Sequence, residues 1–247
     1  MMRHTDATSD GFALDCCQFR GHYPKLIAQA VKTAGVAKTL KAKPKKDPER
    51  HAEPQRVRLH RAISWLHRAE LEEEDFDARF IFLWIAFNAA YAKEFGHDEN
   101  ERGRLAHFIE ALLGADGGKR LHQLVFGQFS GPIRTLIENK FVFEPFWKAL
   151  REHDSSGRWE EKFTASKKLA LASVMAGNTA IVLSIVLDRL YVLRNQLVHG
   201  GATWNSSANR AQVKDGAAIM MAVIPLILDL MLDHPEVDFG DILYPVV

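Results

Sequence analysis

Apolar residues recur along the 247-residue chain at helical rather than alternating spacing. Leu59, Ile63 and Leu66 form one stripe, with Trp65 off it, and predict a helix over Leu59 to Leu71. The acids Glu72, Glu73, Glu74 and Asp75 then stand where the dipole of a following helix favours negative charge. That helix extends to about Phe95. Phe76, Phe80, Leu83, Phe87 and Tyr91 line one side of it, and Phe82, Ile85 and Ala89 another. Its middle is apolar nearly all round and belongs at the centre of a core. Asp98 and Glu101 resemble a capping box, followed by Leu105, Phe108, Ile109, Leu112 and Leu113 and a stop at Gly114.

From about 115 to 155 glycines and prolines break the pattern, which predicts short helices and loops. Ser156 is a candidate cap for a helix toward Ala176, and Asn178 for the next. Residues 179–198 are strongly apolar and predict a second central helix, stopped by Gly200 and Gly201. A polar loop leads to a last long helix ending near Asp233, with a kink expected at Pro225. Strand-like alternation, repeats and phosphate-binding glycine loops are all missing from the sequence. The expected class is all-α, an antiparallel multi-helix bundle with a shorter helical insert.

Charge changes this picture at one end. The chain carries 32 Lys+Arg and 31 Asp+Glu, which excludes a globally basic nucleic-acid binder. Residues 1–68, however, hold 14 basic and 6 acidic residues. Lys43, Lys45 and Lys46 lie in a proline-bearing stretch poor in large apolar residues. Residues 1–55 therefore read as a basic extension or linker before a helical domain at 56–247. The extension is either a solvated tail or an arm that touches RNA phosphates. The two cysteines, Cys16 and Cys17, are neighbours and build no disulfide scaffold. The longest apolar run, Ala217 to Leu228, contains Pro225 and is shorter than the ~18 residues of a membrane span. Without a recognisable leader peptide, a cytoplasmic protein with no membrane attachment is expected.

Metal chemistry has little support. Glu94 and His97 supply one Glu-x-x-His, whereas a di-iron bundle needs two. His60, His67 and Glu70 share a helix face without an evident further ligand. No metal or other cofactor is expected. Asn88 falls on an apolar face, as a satisfied core amide or as a group that orients a site.

The second central helix ends Arg194-Asn195-Gln196-Leu197-Val198-His199-Gly200-Gly201. Arg and His also serve simply to cap helix C-termini, and Arg61…His67 and Arg102…His107 show the same loose spacing. Only the third instance follows the most apolar helix, has Asn directly after the Arg, and precedes two glycines.

Leu193 to Gly200 resembles the signature of HEPN domains, in which Arg, a polar residue and His close a long helix. Phe82 to Tyr91 is similar to an upstream helix in the branch of that family found in prokaryotic defence proteins. The order of elements over about 56–235 agrees as well. The resemblance implies a homodimer that brings two motifs to one cleft. It also implies metal-independent endoribonuclease activity, as in toxin–antitoxin or antiviral systems, with RNA and a neutralising antitoxin protein as partners. The alternative is a module that binds RNA or protein without cleaving. Carried over, His199 transfers the proton, Arg194 holds the phosphate, and Asn195 orients one of them. Histidine exchanges protons near neutral pH, and arginine grips phosphate bidentately. Five residues separate Arg194 from His199, so they diverge by ~140° on a continuous helix. The site then requires that the helix end unwinds or that a second copy completes it.

Overall fold

The computed structural model describes residues 35–43, 50–91, 99–240, 242 and 244. Among them are ten α-helices and no strand: α1 (Val36–Ala42), α2 (Glu53–Glu70), α3 (Phe76–Tyr91), α4 (Glu99–Ala115), α5 (Arg120–Gln123), α6 (Ser130–Glu138), α7 (Glu144–Arg151), α8 (Arg158–Met175), α9 (Thr179–Val198) and α10 (Arg210–Asp233). The expected all-α bundle is present, and the expected insert is built from short elements: α5 to α7, a π-turn at Leu124–Gln128 and a 3-10 turn at Lys140–Val142.

Helix α3 is the centre. Phe80, Leu83, Trp84, Phe87 and Tyr91 are all buried, and each contributes roughly 1.5–3 kcal/mol of burial. Helices α2, α9 and α10 surround it. The start of α3 meets the start of α10 through Asp77 and Arg210, so these two helices run parallel. The start of α2 reaches the end of α10, where the Gln55 amide donates to the Met231 carbonyl, so α2 runs the other way. Helix α10 comes close at Gly216, where an added Cβ would lie 3.0 Å from both Phe80 and Leu190 and 3.3 Å from Leu193. A mid-helix glycine costs about 1 kcal/mol of propensity. Here it is offset by the approach of three large side chains.

Arg58 of α2 ties the far end of the bundle. Its guanidinium donates to the carbonyls of Tyr91, Phe239 and Gly240 at 3.0, 3.0 and 2.9 Å. Tyr91 is the last described residue of α3, so this arginine donates to a carbonyl in the final turn of that helix. On the opposite flank Arg189 of α9 is buried between Phe143 and Phe163, 4.4 and 5.5 Å from the ring centres, and donates to the Ser166 hydroxyl. Burial pulls its guanidinium down to about 10. This stack fastens α7 and α8 to α9.

Helix α10 continues through Pro225. It is the one described helix long and apolar enough to cross a membrane, yet 67% of its most apolar stretch is buried inside the bundle. Asn178 caps α9 as expected, its side-chain oxygen accepting from the Ile181 amide at 3.1 Å. Ser156 does not cap α8. That position falls to Gly157 at φ 77°, and the Ser156 hydroxyl accepts from Arg158 instead.

The expected extension needs correction. Residues 36–42 form a helix packed on α2 and α10, with Ala37 and Leu40 buried. The ammonium of Lys43, expected at RNA phosphates, is paired with Asp229 and Asp233 at the end of α10. Burial opposes the charge on Lys43, but these two carboxylates outweigh it and raise its pKa. Arg120 donates to Asp229 as well, at 2.7 Å. Composition reads this segment as solvated because only two of its residues need burial. Lys45 and Lys46 lie outside the described residues, as do Glu94, His97 and Asp98.

Leu40→Ala tests the docking of α1. Chemical denaturation should show a loss of about 2–4 kcal/mol, the range for a buried leucine. A loss under about 0.5 kcal/mol is what a solvated arm would give.

Candidate functional site

Helix α9 carries the Arg-Asn-His residues at its last turn, and the loop behind it is firmly held. The helix is regular through Val198, and His199 is its C-cap, its amide donating to the Asn195 carbonyl at 3.0 Å. Gly200 follows at φ 71°, the left-handed conformation in which glycine replaces other residues at little cost. Gly201 folds back on the helix end, where an added Cβ would lie 3.3 Å from the Gln196 carbonyl oxygen.

Arg194 and Asn195 are half-buried and brought together. The guanidinium donates to the Asn195 side-chain oxygen at 2.9 Å. Gln196 is committed to architecture, its amide donating to the Phe141 carbonyl at 2.5 Å. Trp147 donates to the same carbonyl, so the insert is pinned against the motif. His199 is exposed, and no hydrogen bond among the described residues joins it to Arg194. The helix stays regular between Arg194 and Val198 and leaves helical geometry at His199 and Gly200.

Two carboxylates at the start of α3 fix the following loop. Asp75 accepts from the amides of Asp77 and Ala78 as a helix cap, and from the Trp204 indole at 3.0 Å. The Ala78 amide bond, assisted by the indole, holds its carboxyl below the usual range despite burial. Asp77 accepts from Arg210 at 2.6 and 2.8 Å and from the Asn205 amide at 2.9 Å. These anchors hold in place the loop after α9, which carries an exposed indole: Trp204 is 76% exposed, and Val198 on the last turn of α9 is 47% exposed.

Asn88 is not brought to the motif. It stands one turn beyond Trp84, whose ring lies 5.9 Å from that of Tyr191. Because α3 and α9 are antiparallel, that turn leads away from Asn195. Its side-chain oxygen is buried without a protein partner. His67 and Glu70 do meet, at 3.7 Å, but Glu70 also accepts from the Ala37 amide. No cluster of three metal-binding side chains occurs among the described residues.

Sequence reasoning missed Asp77, Trp204 and Arg210. An Asp at a helix start was visible, but nothing in the chain links position 77 to a residue 133 positions later. It also missed Asp215, one residue before Gly216, whose carboxyl burial pushes up to about 6. No family model, curated protein or solved structure matches the chain.

Asp77→Ala should cost about 3 kcal/mol, because it leaves Arg210 and the Asn205 amide without their acceptor; a change under about 0.5 kcal/mol in denaturant titration would contradict the anchor. Asp215 gives a pH prediction. Its unfolded value is the ordinary one, about 3.9. The folded state therefore holds the proton more tightly, and its contribution to stability falls as pH rises from about 4 through 6. Asp215→Asn should melt higher than wild type at pH 7, with the difference vanishing below about pH 4. A lower melting temperature at pH 7 would contradict the burial account.

Proposed function

We propose that the chain is a HEPN-type, metal-independent endoribonuclease that acts as a homodimer in the cytoplasm. Stress or phage defence, with a neutralising protein partner, is the setting its resemblance suggests. The observation that carries the reading is the end of α9. An exposed His199 and an Arg194 bonded to Asn195 sit on one helix end, with an exposed valine on the same turn and an exposed indole on the loop that follows. Within one chain no hydrogen bond among the described residues joins the arginine to the histidine. A second copy docked on this apolar rim supplies the missing half of each pair.

The chemistry follows from the residue types. The RNA 2′-hydroxyl is the nucleophile, so no metal is required to make one. His199 accepts the 2′-hydroxyl proton or returns a proton to the leaving 5′-oxygen. Arg194 binds the phosphate and the charge that develops on it, which favours the transition state over the ground state. Asn195 keeps the guanidinium aimed. The reading in which the module binds RNA without cleaving is separated from this one by experiment.

His199→Ala should abolish RNA cleavage with little loss of stability, since an exposed cap is worth about 1 kcal/mol or less. Arg194→Ala should abolish cleavage and weaken RNA binding, and Asn195→Ala should lower the rate less. Cleavage should survive EDTA, leave 2′,3′-cyclic phosphate and 5′-hydroxyl ends, and fall at low pH as the histidine base is protonated. Equal cleavage by wild type and His199→Ala would overturn the assignment. Retained RNA binding without cleavage by wild type would favour the non-cleaving reading.

A further inference from the structure

One side of α8 closes the bundle. Phe163 packs against Phe143, Ala170 is buried, and Val174 lies against the core. The other side of its last two turns is apolar as well. Leu169, Leu171 and Met175 are 51%, 61% and 81% exposed, and Ala172 and Ala176 are exposed among them. Single exposed apolar residues are ordinary on a protein surface. Three large ones within two turns of one helix occur nowhere else among the described residues, and a cluster of that kind marks an interaction site. Its form follows from helical spacing. Ala165, Leu169, Ala172 and Ala176 fall at i, i+4, i+7 and i+11, and Leu171 and Met175 run alongside at i and i+4. The alanines thus make a shallow groove, with Leu169 on one side and Leu171 and Met175 on the other.

A groove between ridges of that kind fits the ridge of a second helix. A lipid surface makes no use of such relief, and α8 has no exposed aromatic ring to seat in a bilayer interface. Charge says which kind of helix fits. From Lys162 to Leu187 the chain has three cations, Lys162, Lys167 and Lys168, and no acid. The acids Glu160 and Glu161 lie before this stretch, in the first turn of α8. Lys167 stands over the Phe163 ring. Lys162 and Lys168 are exposed and enter no ion pair among the described residues. At the end of α10, by contrast, the cations are matched: Lys43 with Asp229 and Asp233, Arg120 with Asp229. Whatever covers α8 meets apolar side chains framed by unmatched positive charge.

We propose that this face of α8 docks an acidic amphipathic helix of a protein partner. The partner's apolar stripe lies along Leu169, Ala172 and Met175, and its carboxylates face Lys162 and Lys168. Recognition of this kind draws affinity from a few apolar anchors and register from the flanking charges. Methionine suits such a surface, because its unbranched side chain adapts to the shape laid on it. Met175 ends α8 beside the turn that starts α9, whereas His199 stands at the other end of α9. The docking therefore neither occupies nor needs Arg194 and His199, and it stands apart from the nuclease reading.

The probe is a synthetic fluorescein-labelled peptide of about 20 residues, long enough to lie along such a face. It carries leucine at i, i+3, i+4 and i+7, with glutamate and alanine elsewhere. A second peptide has lysine in place of glutamate. Each is titrated with the full-length chain and read by fluorescence anisotropy. The acidic peptide should bind with a dissociation constant below about 0.1 mM, roughly tenfold or more tighter than the basic one, and more weakly as salt rises. Leu171→Glu and Lys168→Glu, both surface changes, should each weaken binding about fivefold or more while the protein melts like wild type. The His199→Ala protein should bind as wild type does. The proposal is overturned if the acidic peptide does not bind, if the basic peptide binds as tightly, or if both substitutions leave binding intact. It also fails if binding is lost in His199→Ala, which would move the peptide to the motif. Leu171-dependent sedimentation with phosphatidylserine vesicles would make the face a membrane contact instead. A halving of molar mass in Leu171→Glu would give the face to a second copy; either result overturns the proposal.

Discussion

Helix α3 buries most of its circumference and has no fully exposed residue, and the rest of the bundle follows from that constraint. Four large aromatic or aliphatic side chains in its middle, Phe80, Leu83, Trp84 and Phe87, are each almost fully enclosed. No single neighbour covers such a helix, so α2, α9 and α10 must close around it. Gly216 is where this closure is tightest, because Phe80, Leu190 and Leu193 already occupy the space a side chain would need. The polar groups that remain are gathered at the ends. Arg58 donates to the Tyr91 carbonyl at the end of α3, Asp75 accepts the amides at its start, and Asp77 there accepts from the Asn205 amide and Arg210.

The same end-tying explains why the last turn of α9 is a good place for chemistry. A rigid, buried helix delivers Arg194 and His199 to the surface with their backbone fixed. The loop behind them is held to a neighbouring helix rather than left free. A group presented in that way loses little entropy when it engages a ligand, and this is the benefit of building sites on packed elements. The arrangement also sets a limit. A regular helix through Val198 separates the two side chains by angle, and in the proposed dimer a second motif would complete the pair.

Much of the architecture was legible in the sequence. Helical periodicity located the long helices, Asn178 announced the start of α9, and the broken stretch near 115–155 became short elements. Three features were hidden for a common reason: each depends on residues far apart in the chain. Helix α1 has the composition of a tail, and only the end of α10 reveals that Lys43 has partners. Asp77 and Arg210 were unremarkable until the starts of α3 and α10 were adjacent. Asn88 reads as a candidate because its face is apolar, but the antiparallel course of α3 and α9 carries it away from the motif. The Arg-Asn-His residues themselves were visible; their angular separation on one chain was also visible, and the structure leaves it unrelieved.

The central claim is that a second copy completes the site at the end of α9. Its most direct measurement is molar mass by light scattering after size exclusion, at tens of micromolar protein. The account predicts a mass about twice the 27.9 kDa of one chain. It further predicts a fall toward the single-chain value when the exposed Val198 is replaced by Asp, since a charge on the apolar rim opposes pairing. A wild-type protein that elutes with the mass of one chain would contradict it.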